Sequence, residues 1–121
     1  MRKLIAIGTL ATLLAACSSG PRPLYYWGNY QDQVYQYYVA PGDLATQKEA
    51  LLKIIQEAKA EDLPVGPGVY GHLGLIEMQQ GDVVAAREAF QKEATLYPES
   101  KQFIQFITHA KSAQKAKGRA K

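Results

Sequence analysis

The sequence predicts an all-α fold: a helical hairpin flanked by one helix on each side, with an aromatic N-terminal segment packed on the stack. The first observation behind this is periodicity. Between 43 and 61, Leu44, Leu51, Ile54, Ile55 and Ala58 recur at spacings of three, four and seven, which is one face of an α-helix. The second is punctuation, since Pro41-Gly42, the run Leu63-Pro64-Val65-Gly66-Pro67-Gly68, Gly81-Asp82 and Pro98 cut the chain into helix-length segments. The third is a shift in composition. Residues 24–110 hold large apolar side chains, whereas 111–121 contain only Lys, Arg, Gln, Ala, Ser and Gly. The first stretch reads as the helical domain and the second as a basic, flexible tail.

The chain opens on Arg2 and Lys3, continues as an apolar stretch from Leu4 to Ala16, and meets its only cysteine in Leu14-Ala15-Ala16-Cys17. This arrangement resembles a bacterial lipoprotein signal peptide over residues 1–16, with small residues where the cut falls. As a helix the apolar stretch reaches about 20 Å, short of a hydrocarbon core of about 30 Å, which argues against a transmembrane anchor. A secretory signal cut elsewhere, leaving Cys17 as a free thiol, is the remaining alternative. The resemblance implies lipidation at Cys17, as a diacylglyceryl thioether with palmitate-type acylation of the freed amine. The chain would then be attached to the membrane by several acyl chains, an anchor that is effectively permanent. Ser18 stands where an inner-membrane retention signal usually shows Asp, so the implied location is the outer membrane of a Gram-negative envelope, facing the periplasm. Losing Arg2 and Lys3 from 14 basic and 11 acidic residues brings the mature chain close to neutral, so the net charge of +3 is no argument for nucleic-acid binding.

Residues 17–23, Cys-Ser-Ser-Gly-Pro-Arg-Pro, read as a lipidated tether. The next segment carries Tyr25, Tyr26, Trp27, Tyr30, Tyr35, Tyr37 and Tyr38, including the only tryptophan. Asn29 is placed to cap a short helix with Asp32 in its first turn, which puts Tyr30, Val34 and Tyr37 or Tyr38 on one face. Asp43 is the expected N-cap of a helix to about Glu61, with Lys48, Lys53, Glu57 and Lys59 largely on its polar arc. A second helix runs from about Val69 to Gln80 and stops at Gly81, a natural left-handed cap. Asp82 caps a third, reaching about Tyr97, and Pro98 restarts a fourth over 99–113 with Phe103, Phe106, Ile107 and Ala110 on one side.

Residues 67–100 resemble one tetratricopeptide repeat, whose pattern sets an aromatic, Leu-Gly, Ala, Phe and Pro at fixed offsets. Here these are Tyr70, Leu73-Gly74, Ala86, Phe90 and Pro98. Gly74 and Ala86 lack bulk where two helices cross, while Tyr70, Leu73 and Phe90 fill the space beside them. Two positions depart from the pattern, with Glu77 at a usual tyrosine and Glu93 at a usual small residue. A single repeat leaves apolar faces uncovered, so the flanking helices at 43–61 and 99–113 are expected to cover them; an incomplete cover leaves a groove for a partner or a second copy.

The stretch 24–107 also resembles a family of small Gram-negative outer-membrane lipoproteins carrying a domain of unknown function. The cues are Tyr25-Tyr26-Trp27-Gly28-x-Tyr30, Pro67-Gly68, His72-Leu73-Gly74, Gly81-Asp82, and Glu93 followed by Tyr97-Pro98-Glu99-Ser100. Members are often encoded beside lipoproteins similar to the curli secretion channel. That implies an accessory role in an outer-membrane assembly, and the resemblance carries over no catalytic residue.

Chemistry is hard to assemble from the rest. His72 and His109 are the only histidines, and with Cys17 acylated a zinc site lacks its usual ligands. No serine elbow, phosphate loop or H-E-x-x-H run is present. The expectation is a non-enzymatic protein with no metal, cofactor, nucleic acid or small-molecule substrate. Its partners would be the membrane, through Cys17, and either an envelope lipoprotein of channel type or a second copy. Tyr25, Tyr26, Trp27, Tyr30, Tyr37 and Tyr38 admit two readings: contact with a partner, peptidoglycan or polysaccharide, or a cap on the helical stack. The cations Lys111, Lys115, Lys117, Arg119 and Lys121 likewise fit either anionic lipid phosphates or a solvated end.

Overall fold

The computed structural model describes residues 20–120. Residues 1–16, read above as a signal peptide, and 17–19 of the expected tether, Cys17 among them, lie outside the described residues. Among the described residues five helices follow one another: α1 (Tyr30–Val39), α2 (Leu44–Ala60), α3 (Val69–Gln80), α4 (Val83–Leu96) and α5 (Lys101–Arg119), with a 3-10 turn at Pro98–Ser100 before the last. The all-α fold class is thus the observed one.

Asn29 stands before α1 but makes no side-chain cap, contrary to expectation. Its carbonyl instead accepts the backbone N–H groups of Asp32 and Gln33 at 3.1 and 3.3 Å. Tyr30, Gln33, Val34 and Tyr37 turn inward and Tyr38 points to solvent, which settles which tyrosine shares the inner face. The caps of the next helices are as the sequence predicts. Asp43 accepts from Thr46 N at 3.3 Å, Asp82 from Ala85 N at 2.9 Å, and Gly81 takes φ +90°.

The end of α2 was less legible. Asp62 adopts φ 52°, unusual for a residue with a Cβ, and the chain closes with Leu63 N donating to Ala58 O at 3.0 Å and Asp62 N to Lys59 O at 3.3 Å. Those two bonds form a Schellman cap. The Arg22 guanidinium adds a bond to Asp62 O at 3.3 Å.

The core is one cluster: Leu51, Ile54 and Ala58 from α2, Val65 from the connector, Val69, Leu73 and Ile76 from α3, and Ala89 from α4. α3 is the central helix. It is buried on nearly every side, by α4 along its length, by α2, and by the tyrosines of α1.

The C-terminal region departs from the sequence expectation twice. The chain does not become irregular after Ala110, because α5 runs on to Arg119. Lys, Gln and Ala are good helix formers, and nothing before Gly118 breaks the helix, so missing apolar residues remove packing without removing helicity. Nor does the aromatic side of α5 cover the hairpin. Ile104, Ile107 and Thr108 are half-buried, whereas Phe103 and Phe106 are 50% and 71% exposed.

Candidate functional site

The connector Pro64–Gly68 must turn the chain from α2 into α3 without regular structure of its own, and five groups hold it, one main-chain segment and four side chains. Tyr26 N donates to Pro64 O at 2.8 Å and Gly66 N to Tyr26 O at 3.2 Å, a single parallel bridge between Tyr26 and Val65. The Trp27 indole lies so close over Gly66 that a Cβ there would come far inside van der Waals contact with its ring carbons. Tyr30 donates its hydroxyl to Gly68 O at 3.1 Å, and Tyr97 donates to Val65 O.

The fifth group is Glu93. α3 begins at Gly68, which sits at φ +100° and has no side chain to cap the helix. Glu93, reaching across from α4 and only 1% exposed, supplies the missing acceptor: Oε1 takes Gly68 N at 2.7 Å and Oε2 takes Gly71 N at 3.2 Å. Ser100 Oγ donates to the same Oε1 at 3.1 Å, tying in the start of α5. A carboxylate at a helix N-terminus also meets the positive end of the helix dipole. A small residue at 93 would leave those donors without this partner.

Most of the aromatic segment is occupied in this packing. Tyr25 stands edge-on to Trp27 and to Tyr97, at 6.1 and 5.8 Å between ring centroids, and Trp27 stacks on Tyr30 at 6.0 Å. Tyr26 donates to Glu57 Oε2 at 2.7 Å, and that bond, with burial, raises its phenol pKa. Burial, helped by the charge of Glu93, pushes Tyr30 up to about 12, so it remains a hydroxyl donor at any physiological pH. Tyr37 pairs with Gln79 Nε2 across to α3, while Tyr38 is exposed.

Within the hairpin, Gly74 faces Phe90 so closely that a Cβ would run into the ring, and Ala86 is buried on the same side of α4. Leu73 joins the core and Pro98 opens the 3-10 turn. Tyr70 is half-buried with Lys92 Nζ 5.5 Å above its ring. Glu77, 5% exposed, is held by Lys48 Nζ at 2.9 Å on Oε1 and 3.0 Å on Oε2. His72 lies among Tyr30 and Tyr37, 5.9 and 4.9 Å away between rings, with neither nitrogen partnered, and burial lowers its pKa. Its imidazole is therefore held neutral.

A groove of about 690 Å³ opens where α5 diverges from α4. Met78, Val83, Ala86, Phe90, Ala94 and Ile104 floor it, and Arg87, Lys101, Lys111 and Lys115 stand along its walls. Among the described residues no cluster of three or more His, Cys, Asp or Glu is close enough to hold a metal, and no helix is long and apolar enough to cross a membrane.

The family model for a domain of unknown function, DUF4810, matches residues 24–107. The chain belongs to that family. No curated protein and no solved structure matches the chain. The DUF4810 domain takes in the aromatic segment, α1 to α4 and the first part of α5, so Lys111 and Lys115 stand beyond the matched stretch. Glu77 and Glu93 are its internal carboxylates; both stood out in sequence as departures from the repeat pattern, and Glu93 also as a family cue. Tyr97, whose hydroxyl holds the connector from the far end of α4, was named in sequence only as a helix end and part of a family cue, with no sign of that contact.

Proposed function

We propose that this protein is a non-enzymatic scaffold or accessory protein of an outer-membrane assembly, held on the membrane by acyl chains at Cys17 and binding a protein partner through a tetratricopeptide-like surface. One observation carries the reading: α5 extends the helical stack but leaves an apolar groove open on one side and Phe103 and Phe106 bare on the other. A stack that ends this way has apolar surface to bury and a defined place to bury it. The repeat-like character is supported by the close Gly74–Phe90 approach and by Ala86.

The partner fitting the sequence resemblance is an envelope lipoprotein of channel type, with self-association as its alternative. Crosslinking in intact envelopes followed by mass spectrometry tests this reading. A protein adduct reproducibly dependent on this chain supports it, whereas an empty result together with a strict monomer by light scattering overturns it. Glycan binding through the Tyr/Trp segment is less well supported, since Trp27 and Tyr30 stack on each other and hold the connector, which leaves Trp27 43% exposed but fixed in place. Sedimentation with isolated sacculi tests that alternative: Trp27→Ala would abolish co-pelleting.

A further inference from the structure

We infer that the groove between α4 and α5 receives an amphipathic helix of a partner protein, one whose apolar stripe is flanked by carboxylates. The inference rests on the scaffold reading and adds the site and the chemistry of what fills it. Charge is the first reason. The groove walls present Arg87, Lys101, Lys111 and Lys115, and no lining residue is acidic. From Lys101 to the end of the chain there is no Asp or Glu at all. Such a field admits carboxylates and repels cations.

The backbone gives the second reason. Both walls are helices whose interior N–H and C=O groups are already bonded along their own axes. An extended strand lying there would find no edge to pair with and would bury its own backbone unsatisfied, whereas a helix satisfies itself and needs only a complementary face. Lys111 and Lys115 are one turn apart, about 6 Å along the wall. Two carboxylates one turn apart on the incoming helix match that spacing. The apolar floor of Phe90 and Ile104 takes its stripe.

The shape argues against a lipid surface. The wall cations turn toward a concave apolar floor, while Phe103 and Phe106 are not among the residues lining it, so a flat membrane would engage one set without the other. A second copy is also a poor occupant. The acidic residues all precede Lys101, and the two helices with most of them, α2 and α4 with two each, have already turned Leu51, Ile54 and Ala58, and Ala89 and Phe90, inward.

The test places a photoreactive benzoylphenylalanine at Gln105 on the groove wall, or at Tyr35 on exposed α1 as a control, in the full-length chain in intact envelopes. Irradiated adducts are then sequenced by mass spectrometry. The expected result is an adduct from position 105 with a segment of another protein that has apolar residues at helical spacing and at least two carboxylates. Introducing Lys111→Glu and Lys115→Glu should lower its yield at least tenfold. Both lysines are exposed, so unchanged circular dichroism checks that the variant folds. An adduct with lipid, with a second copy, or with a segment lacking carboxylates would overturn the inference, as would a yield indifferent to charge reversal. Adducts from position 35 with none from 105 would sink the groove while sparing the scaffold reading; silence from both would remove the two together.

Discussion

Replacing Glu93 tests whether one buried carboxylate sets the geometry of the connector and the start of α3. In Glu93→Ala, Gly68 N and Gly71 N lose their acceptor. Hydrogen bonds to a charged group contribute about 1.5–3 kcal/mol each, and the lost side chain also leaves a void. Gly68 is half-buried, so water recovers part of its bond. The expected net cost is therefore about 3–4 kcal/mol rather than the full sum. Glu93→Gln keeps the volume and one oxygen, enough for Gly68 and Ser100, but turns an amide N–H toward Gly71. Its cost should be about 1.5–2 kcal/mol, from one bond and the lost charge at the helix terminus. Urea unfolding of a chain beginning at Ser18 reads both, by circular dichroism and by fluorescence of Trp27, whose indole rests on Gly66 two positions from the cap. In a domain of this size 1 kcal/mol moves Tm by roughly 4–8 °C, so the variants separate clearly. A Glu93→Ala protein within 1 kcal/mol of wild type, or one indistinguishable from Glu93→Gln, would refute the capping role.

Gly74→Ala should destabilise by about 1–2 kcal/mol, because overpacking against Phe90 outweighs the helix propensity gained, whereas Gly71→Ala meets only ordinary contacts with Glu93 and should be neutral or better; thermal melts compare them. Lys48→Met strands the nearly buried Glu77 carboxylate and should cost about 2–3 kcal/mol, a figure discounted because Lys48 is a third exposed; the double variant with Glu77→Met should recover most of it in a double-mutant cycle. His72 is held neutral by burial, so the unfolded chain takes up its proton more readily. Its contribution is fully present above about pH 6.5 and falls away as pH drops below that value. Urea midpoints at pH 7.5 and 5 should show this loss, and His72→Leu should flatten it; an unaltered slope would assign it elsewhere.

The helical register was legible from local signals. Asp43, Asp82 and Gly81 mark helix ends because a cap depends on the few residues beside it, and the inner stripe of α2 follows from spacing alone. Asn29 resembled them and failed, since its backbone rather than its side chain receives the first amides of α1. The long reach of Glu93 to Gly68 and of Tyr97 to Val65 had no local trace. A bond between residues so distant in the chain exists only once α3 and α4 are side by side. A groove was foreseen only as the result of incomplete cover, and its place and lining were hidden, because they come from three helices and depend on the angle at which α5 leaves α4.

By itself the sequence determined that this chain is helical, where most helices begin and end, and which stripe of α2 is apolar, because propensity, capping and periodicity act within a few turns. Only the tertiary structure decided which side of α5 faces the body, that Tyr26, Trp27, Tyr30 and Tyr97 hold the connector, and that a carboxylate from one helix caps another. Those outcomes depend on which surfaces meet, and burial assigns a side chain's role by what surrounds it rather than by its place in the chain.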